Sequence, residues 1–442
     1  MNLNGKEFSF RKRNSSNPYR VLALLFVLLG SLFMLRAIET EQIVSPFHPT
    51  PVPTRNISSL KMQAEAHFMA GDLDQAIAVY QRALEVDPNN ALLWAELSRI
   101  QTYSSALLTS DTEKRARLQE ALQSADKAVE LAPEESTVHA IRAFALNWSA
   151  NPALSGKEAA AYITEADQEA VRALQLDNQN TLALAYYAEI LNDQQKWLQA
   201  EQYIRQAVEK DPTLMDVHRI SAYVQESLGN YGGAIEEYKK AIAITPNLTM
   251  LYISIGLNYR VLKQFEMALE YFAKAANINE QLGIRDPIPY IAIGKTYSQM
   301  GEFFIASRNM EKALQFNPYS PDVYGQLGIV YFKAKNYEGS ILPLKCATKG
   351  CTADETCSIR NCDPAVDPAI EIEGMPLSPN TVVYYYTYGS VLAALHRPYD
   401  DKCSEAVQIL GEVRDGFGGD ALVMSIVQES ENICAAFGIT RK

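Results

Sequence analysis

A spacing of 34 residues governs most of this chain. Pro212 and Pro246 lie 34 apart, and each closes a helix-forming stretch, "AVEKDP" and "AIAITP". Twelve residues before them stand Ala200 and Ala234, and five before them Ala207 and Ala241. The same frame runs back to Ala76, Ala83 and Pro88, and forward through Ala268 and Ala275 to Ala306, Ala313 and Pro318. Proline ends a helix because it lacks an amide hydrogen and its ring clashes with the preceding turn. Small residues at fixed places let two helices approach closely. One large apolar residue opens the second helix of six units: Leu73, Trp197, Tyr231, Phe265, Phe303 and Tyr337. Gly71, Gly229 and Gly301 precede three of these by two residues, where a left-handed helix end favours glycine. The repeating unit is therefore a helix–turn–helix pair, and the chain is expected to be all-α, a stack of about nine such pairs.

A second pattern lies in the first helices. Trp94 and Leu97, then Ile255, Gly256 and Tyr259, then Ile293, Gly294 and Tyr297, then Leu327, Gly328 and Tyr331 recur in one frame. Tyr80, Ile204, Tyr238, Phe272 and Met310 recur in the second helices. These residues resemble the tetratricopeptide repeat, W-x2-L-G-x2-Y, then A-x3-F, then P. The resemblance covers about residues 57–437 and implies a right-handed superhelical α-solenoid. Its units start near Ile57, Ala91, Ser136, Thr181, Met215, Thr249, Pro287, Pro321 and Val382, the first eight forming a solenoid over 57–345. Two units carry eleven extra residues, because Pro88 to Pro133 and Pro133 to Asn178 each span 45. The additions fall around Leu107 to Thr112 and Asn151 to Lys157, between the two helices of a unit. The last segment, 382–437, reads as a degenerate unit followed by a capping helix over 420–437, which an open solenoid end requires.

Proteins of this family bind extended peptides or helices on a concave face lined by the first helices. Family geometry places there the second, fifth, sixth, ninth, twelfth and thirteenth residues of each unit. In the central units these are Tyr186, Glu189, Arg219, Tyr223, Glu226, Arg260, Lys295, Gln299, Gln326 and Lys333. The expected partner-binding set is Tyr186, Arg219, Tyr223, Arg260, Lys295, Gln299 and Lys333. Arg219, Arg260, Lys295 and Lys333 put one basic residue in each of four successive units, which suits an acidic peptide or a C-terminal carboxylate. The paired Lys and Asn of the carboxylate-clamp members are not reproduced, and ordinary solvated helix charge is the competing account.

The whole chain carries 40 Lys and Arg against 52 Asp and Glu, a net charge of −12. Its first twenty residues run the other way, with Lys6, Arg11, Lys12, Arg13 and Arg20 against Glu7. An acidic remainder lacks the basic face that phosphates require, so nucleic acid is not an expected partner. Behind the basic tail, 1–20, an apolar segment over 21–38, which reaches twenty residues when counted from Tyr19 through Ile38, is expected to form one transmembrane helix, an uncleaved signal-anchor. A cleaved signal peptide is the alternative, though Arg36 and the absence of an A-x-A site stand against it. The positive-inside rule would keep the N-terminus in the cytoplasm and place the solenoid outside the cytoplasmic membrane. Residues 39–56 hold Pro46, Pro49, Pro51 and Pro53 and read as an extended stand-off linker.

All six cysteines stand at one end: Cys346, Cys351, Cys357, Cys362, Cys403 and Cys434. The insert over 346–381, with its prolines, glycines and short polar residues, reads as non-helical and in need of staples. An even count outside the cytoplasm implies up to three disulfides. The simplest arrangement pairs the first four within the insert and Cys403 with Cys434. Zinc is the alternative, although intervals of 5, 6 and 5 lack the C-x2-C knuckle.

No phosphate loop, dinucleotide fingerprint, zinc-protease or nucleophile-elbow motif occurs, so neither catalysis nor a cofactor is expected. Ser58 to Lys61 spells S-x-x-K without its companion motifs, and His139 and His218 fall at a packing position of their units. The sequons at Asn56, Asn147 and Asn247 matter only in a secretory lumen. The expected function is a membrane-anchored interaction scaffold or adaptor of bacterial type that presents its concave face to peptide or protein partners. Two alternatives stand beside it: a non-catalytic subunit of an envelope enzyme or secretion complex, and a redox or zinc role for the cysteine cluster.

Overall fold

The computed structural model describes residues 17–39, 57–108, 110–363 and 366–441. The chain divides into two units, Met1–Asn56 and Ile57–Lys442. Most of the basic tail, the proline-rich linker over 40–56 and the Asn56 sequon lie outside the described residues.

Among the described residues the first unit forms one helix, Pro18–Glu39. Its uncharged run, 21–35, lies between Arg20 and Arg36 and holds fifteen residues, about 22 Å at 1.5 Å per residue against the ~30 Å of a bilayer core. Among the described residues no helix is long and apolar enough to cross a membrane. The expected transmembrane segment reached twenty residues only by taking in both arginines. The expected membrane anchor, membrane partner and inside-to-outside placement of the solenoid are therefore not supported.

The second unit is an all-α solenoid of paired helices. The pairs are Ile57–Met69 with Leu73–Val86, Ala91–Ser105 with Asp111–Leu131, Ser136–Ser149 with Ala159–Leu176, and Thr181–Asp193 with Trp197–Lys210. They continue as Met215–Ser227 with Tyr231–Ile244, Thr249–Val261 with Phe265–Gln281, Ile288–Met300 with Phe303–Phe316, and Pro321–Lys333 with Tyr337–Thr348. A ninth pair, Val382–Leu395 with Cys403–Phe417, is followed by a last helix, Ala421–Ala435, capped at its start by Asp420.

Two local devices repeat along the stack. At the turn inside a unit, the residue two places before the large apolar opener is left-handed in six units. Gly71, Gly229 and Gly301 take φ of 76°, 77° and 84°, while Gln195, Lys263 and Lys335 take 61°, 59° and 62°. A side chain there crowds the following carbonyl, so the second three carry strain that glycine avoids. Replacing Gln195, Lys263 or Lys335 by glycine is expected to raise unfolding free energy by about 0.5–1 kcal/mol each. Urea midpoints of the single variants measure it, and a uniform loss of stability contradicts it.

The fourth residue of the first helix supplies the other device. Trp94 Nε1 donates to the Pro88 carbonyl at 2.9 Å, Tyr252 OH to Pro246 at 2.6 Å and Tyr324 OH to Pro318 at 3.1 Å. His139 Nε2 lies 2.9 Å from the Pro133 carbonyl, and His218 Nε2 lies 2.8 Å from that of Pro212. Each contact satisfies the carbonyl left over where the preceding unit ends in proline. The other ring nitrogens of His139 and His218 meet Glu169 and Glu237 at 2.6 and 2.7 Å. Bonding to Glu169 raises the His139 pKa above its ordinary value. Both histidines are thus joints between units.

The cysteine insert corrects one expectation. Residues Ala353–Arg360 form a helix, opened by a capping box between Thr352 and Glu355. The four prolines of the insert all follow Cys362, which leaves those eight residues free to coil. Disulfides join Cys346 to Cys351, Cys357 to Cys362 and Cys403 to Cys434. Paired sulfurs offer no thiolate to a zinc ion.

Candidate functional site

The inner face of the stack is assembled from the first helices of successive pairs, and it differs between its two halves. In the second to fifth pairs it folds onto itself. Asp216 is only 3% exposed and sits at the centre. Arg99 Nη1 donates to its Oδ2 at 2.9 Å, and the Tyr103 and Tyr186 hydroxyls donate to its Oδ1. Arg219 forms a two-pronged pair with Glu189, at 2.8 and 2.6 Å, and its Nε donates to Tyr103 OH at 3.1 Å. The Arg219 guanidinium lies 5.5–5.7 Å from the ring centres of Tyr103, Phe144 and Trp148. Trp148 Nε1 also donates to Glu189.

These contacts join the second pair to the fifth, more than a hundred residues on. The first pair also comes close to the end of the fifth: a Cβ added to Gly71, in the turn of the first pair, would lie 2.4 Å from the Asn247 carbonyl oxygen. Burial by itself would raise the Asp216 carboxyl, but Arg99 and the two tyrosine hydroxyls outweigh it and hold that carboxyl below its usual range. Burial likewise disfavours the Arg219 charge, and Glu189 reverses the balance, so its pKa rises well above the usual value. The network is an ionic centre whose carboxylates, guanidinium groups and hydroxyls bond to one another. Tyr186 and Arg219, expected to contact a partner, are buried within it. They lie on the inner face, and the approach of the second and fifth pairs closes that face over them.

Tyr223, also expected to contact a partner, is half-buried and donates to Asp193 at 2.6 Å. Asp193 also accepts from Asn147 at 2.7 Å, and burial, reinforced by Glu189, raises its pKa. The Asn147 and Asn192 side chains are buried, with Asn147 Oδ1 and both Asn192 amide atoms lacking partners among the described residues. Asn147 and Asp193 border a cleft of about 700 Å³ walled by the eleven-residue addition of the third pair. Sequence reasoning passed over both asparagines, although each is the twelfth residue of its unit and so falls at an inner-face position. The buried Asn147 sequon is unsuited to a glycan.

The sixth to eighth pairs keep their inner face open. Leu257 is 36% and Val261 55% exposed, Gln299 and Lys333 are exposed, and Lys295 is half-exposed. Lys295 and Lys333 have no ion-pair or hydrogen-bond partner among the described residues. Arg260 is half-buried, its guanidinium 5.9 Å from the Phe272 ring centre, and burial lowers its pKa. Gln326 bonds to Tyr384 OH, which in turn donates to Asp322 at 2.7 Å, so its amide is engaged internally. Of the expected set, then, Lys295, Gln299 and Lys333 face solvent. Among the described residues no group of three metal-ligating side chains comes together.

Three family profiles, each described as tetratricopeptide repeat, match residues 58–100, 188–248 and 251–282. The chain carries tetratricopeptide repeats. A curated relative, BBSome complex member BBS4 of Bos taurus, is 28% identical over 111 residues, 25% of this chain and 20% of that protein. The Mus musculus protein of the same name is 29% identical over 106 residues, 24% of this chain and 19% of its own length. The chain therefore matches about a fifth of the length of these relatives. Among solved structures, the APC/C hetero-tetramer Cut9–Hcn1 superposes with a TM-score of 0.52 at 15% identity, covering 71% of this chain and 55% of that one. That likeness supports the solenoid fold. Tetratricopeptide-repeat proteins generally act as interaction scaffolds that bind protein or peptide partners.

Proposed function

We propose that this tetratricopeptide-repeat chain is a scaffold that receives an acidic peptide segment on the inner face of its sixth to eighth pairs. The observation that carries this reading is the pair of unpartnered cations, Lys295 and Lys333, beside exposed Leu257 and Val261 on first helices that stack in register. Apolar surface next to uncompensated positive charge, on a chain of net charge −12, matches a segment that alternates acidic and aliphatic residues. The ionic centre of the second to fifth pairs then acts as the rigid base of that receptor. The relatives are named as members of a protein complex, which supports a place for this chain as a non-catalytic subunit.

The test is fluorescence anisotropy with a labelled decapeptide of alternating Glu and Leu, titrated with wild type and with Lys295→Glu combined with Lys333→Glu. Affinity is expected to fall at least tenfold, about 1.4 kcal/mol, with a shallower salt dependence. Equal binding by both proteins removes the inner face of these pairs from consideration.

A further inference from the structure

The spacing of the repeat breaks once between the sixth and seventh pairs. Ala241 to Ala275 is 34 residues, whereas Ala275 to Ala313 is 38. The added residues lengthen the helix Phe265–Gln281 to 17 residues, and the chain then turns at Gly283, with φ of 70°, before Ile288–Met300 begins. This detour borders a partly open cavity of about 330 Å³.

The walls of the cavity have opposite chemistry. On one side Asn279, 3% exposed, donates from Nδ2 to Asp286 Oδ2 at 3.0 Å, while its Oδ1 has no partner among the described residues. Asp286 is 4% exposed and accepts one further bond, from the Ile288 amide at 2.9 Å. On the other side the Lys312 ammonium lies 4.3 Å from the Tyr290 ring centre and has no ion-pair or hydrogen-bond partner among the described residues. The Arg285 guanidinium lies 5.6 Å from the Phe316 ring centre, and Tyr290 and Phe316 meet edge to face at 5.3 Å. A buried carbonyl oxygen without a donor is rare, because leaving it unpaired forfeits the hydration it had in the unfolded chain.

We propose that this cavity binds a free α-amino acid with an apolar or aromatic side chain. Its ammonium meets the Asp286 carboxylate, which Asn279 positions, its carboxylate meets Lys312 and Arg285, whose Nη2 also donates to the Gln315 carbonyl at 2.7 Å, and its side chain lies on Tyr290 and Phe316. A simple metal cation is repelled by the two basic residues, and a simple anion by Asp286, whereas a zwitterion satisfies both walls. The volume lies at the lower end of the range for small-molecule sites, which suits a ligand of this size.

Isothermal titration of the full chain with three probes tests the assignment: L-phenylalanine, L-phenylalaninamide, which lacks the carboxylate, and 3-phenylpropionate, which lacks the ammonium. L-Phenylalanine is expected to bind, with each truncated probe at least tenfold weaker. Lys312→Gln, a change at an exposed side chain that leaves folding intact, is expected to weaken L-phenylalanine at least tenfold and to leave the amide unaffected. Asn279→Leu is expected to abolish binding of both. No measurable heat with millimolar L-phenylalanine overturns the assignment, as does equal binding of the three probes or an unchanged affinity in Lys312→Gln.

Discussion

Replacing Asp216 by alanine is expected to lower the unfolding free energy by about 3–5 kcal/mol, as when one partner of a buried ion pair is removed. The carboxylate accepts from Arg99, Tyr103 and Tyr186, all inside the closed half of the stack. Its loss leaves the Arg99 guanidinium with Glu96 as its one remaining anion among the described residues and strips two buried hydroxyls of their acceptor. Arg219→Ala is expected to cost a similar amount, because Glu189 is then stranded. The two substitutions share Tyr103, so the double variant should lose less than the sum of the singles. Asp216→Asn retains an acceptor and should fall between wild type and alanine. Urea unfolding of wild type and the four variants reads these values. Losses under 1 kcal/mol for both alanine variants would show that the second and fifth pairs do not meet in solution.

The C-terminal end gives the second large effect. Cys403 and Cys434, both fully buried, join the second helix of the ninth pair to the last helix across 31 residues. A cross-link closing a loop of that length restricts the unfolded chain by about 3–4 kcal/mol on the loop-entropy account. In a solenoid each pair is held only by its neighbours, so the terminal pair has support on one side alone. Cys403→Ala with Cys434→Ala is therefore expected to release Ala421–Ala435 first, seen as faster amide exchange there and a lower unfolding midpoint. Dithiothreitol should bring wild type toward the variant. An unchanged midpoint together with unchanged exchange sinks the prediction.

The consequence for function is a division of the inner face into a closed base and an open receptor. Repeat geometry alone treats Arg219, Arg260, Lys295 and Lys333 as equivalent, since they recur in one face of successive units. Their surroundings separate them: Arg219 is held by Glu189 among three aromatic rings, Arg260 rests on Phe272, and Lys295 and Lys333 face solvent. A charge reversal at Arg219 would damage the fold before it reported on binding. The informative substitutions are those at Lys295 and Lys333.

What was legible in the sequence is what depends on neighbours along the chain. The helix openers Leu73, Trp197, Tyr231, Phe265, Phe303 and Tyr337 stand where the second helices begin, because an apolar residue just after a left-handed turn both ends one helix and anchors the next. Gly71, Gly229 and Gly301 mark three of those turns, and Pro88, Pro133, Pro212, Pro246 and Pro318 mark unit ends whose carbonyls the fourth residue of the next unit satisfies. The short helix Ala353–Arg360 was missed because prolines that all lie beyond Cys362 were averaged over the whole insert. The apolar stretch near the N-terminus was over-read because its length was counted through Arg20 and Arg36. Tertiary structure alone decided that Arg99 and Tyr103 reach Asp216, that Arg219 is enclosed, and that Asn279 and Asp286 line a cavity with Lys312. A repeat prescribes which face each residue occupies, but the small rotation between units, summed over four of them, sets whether that face stays open or meets itself.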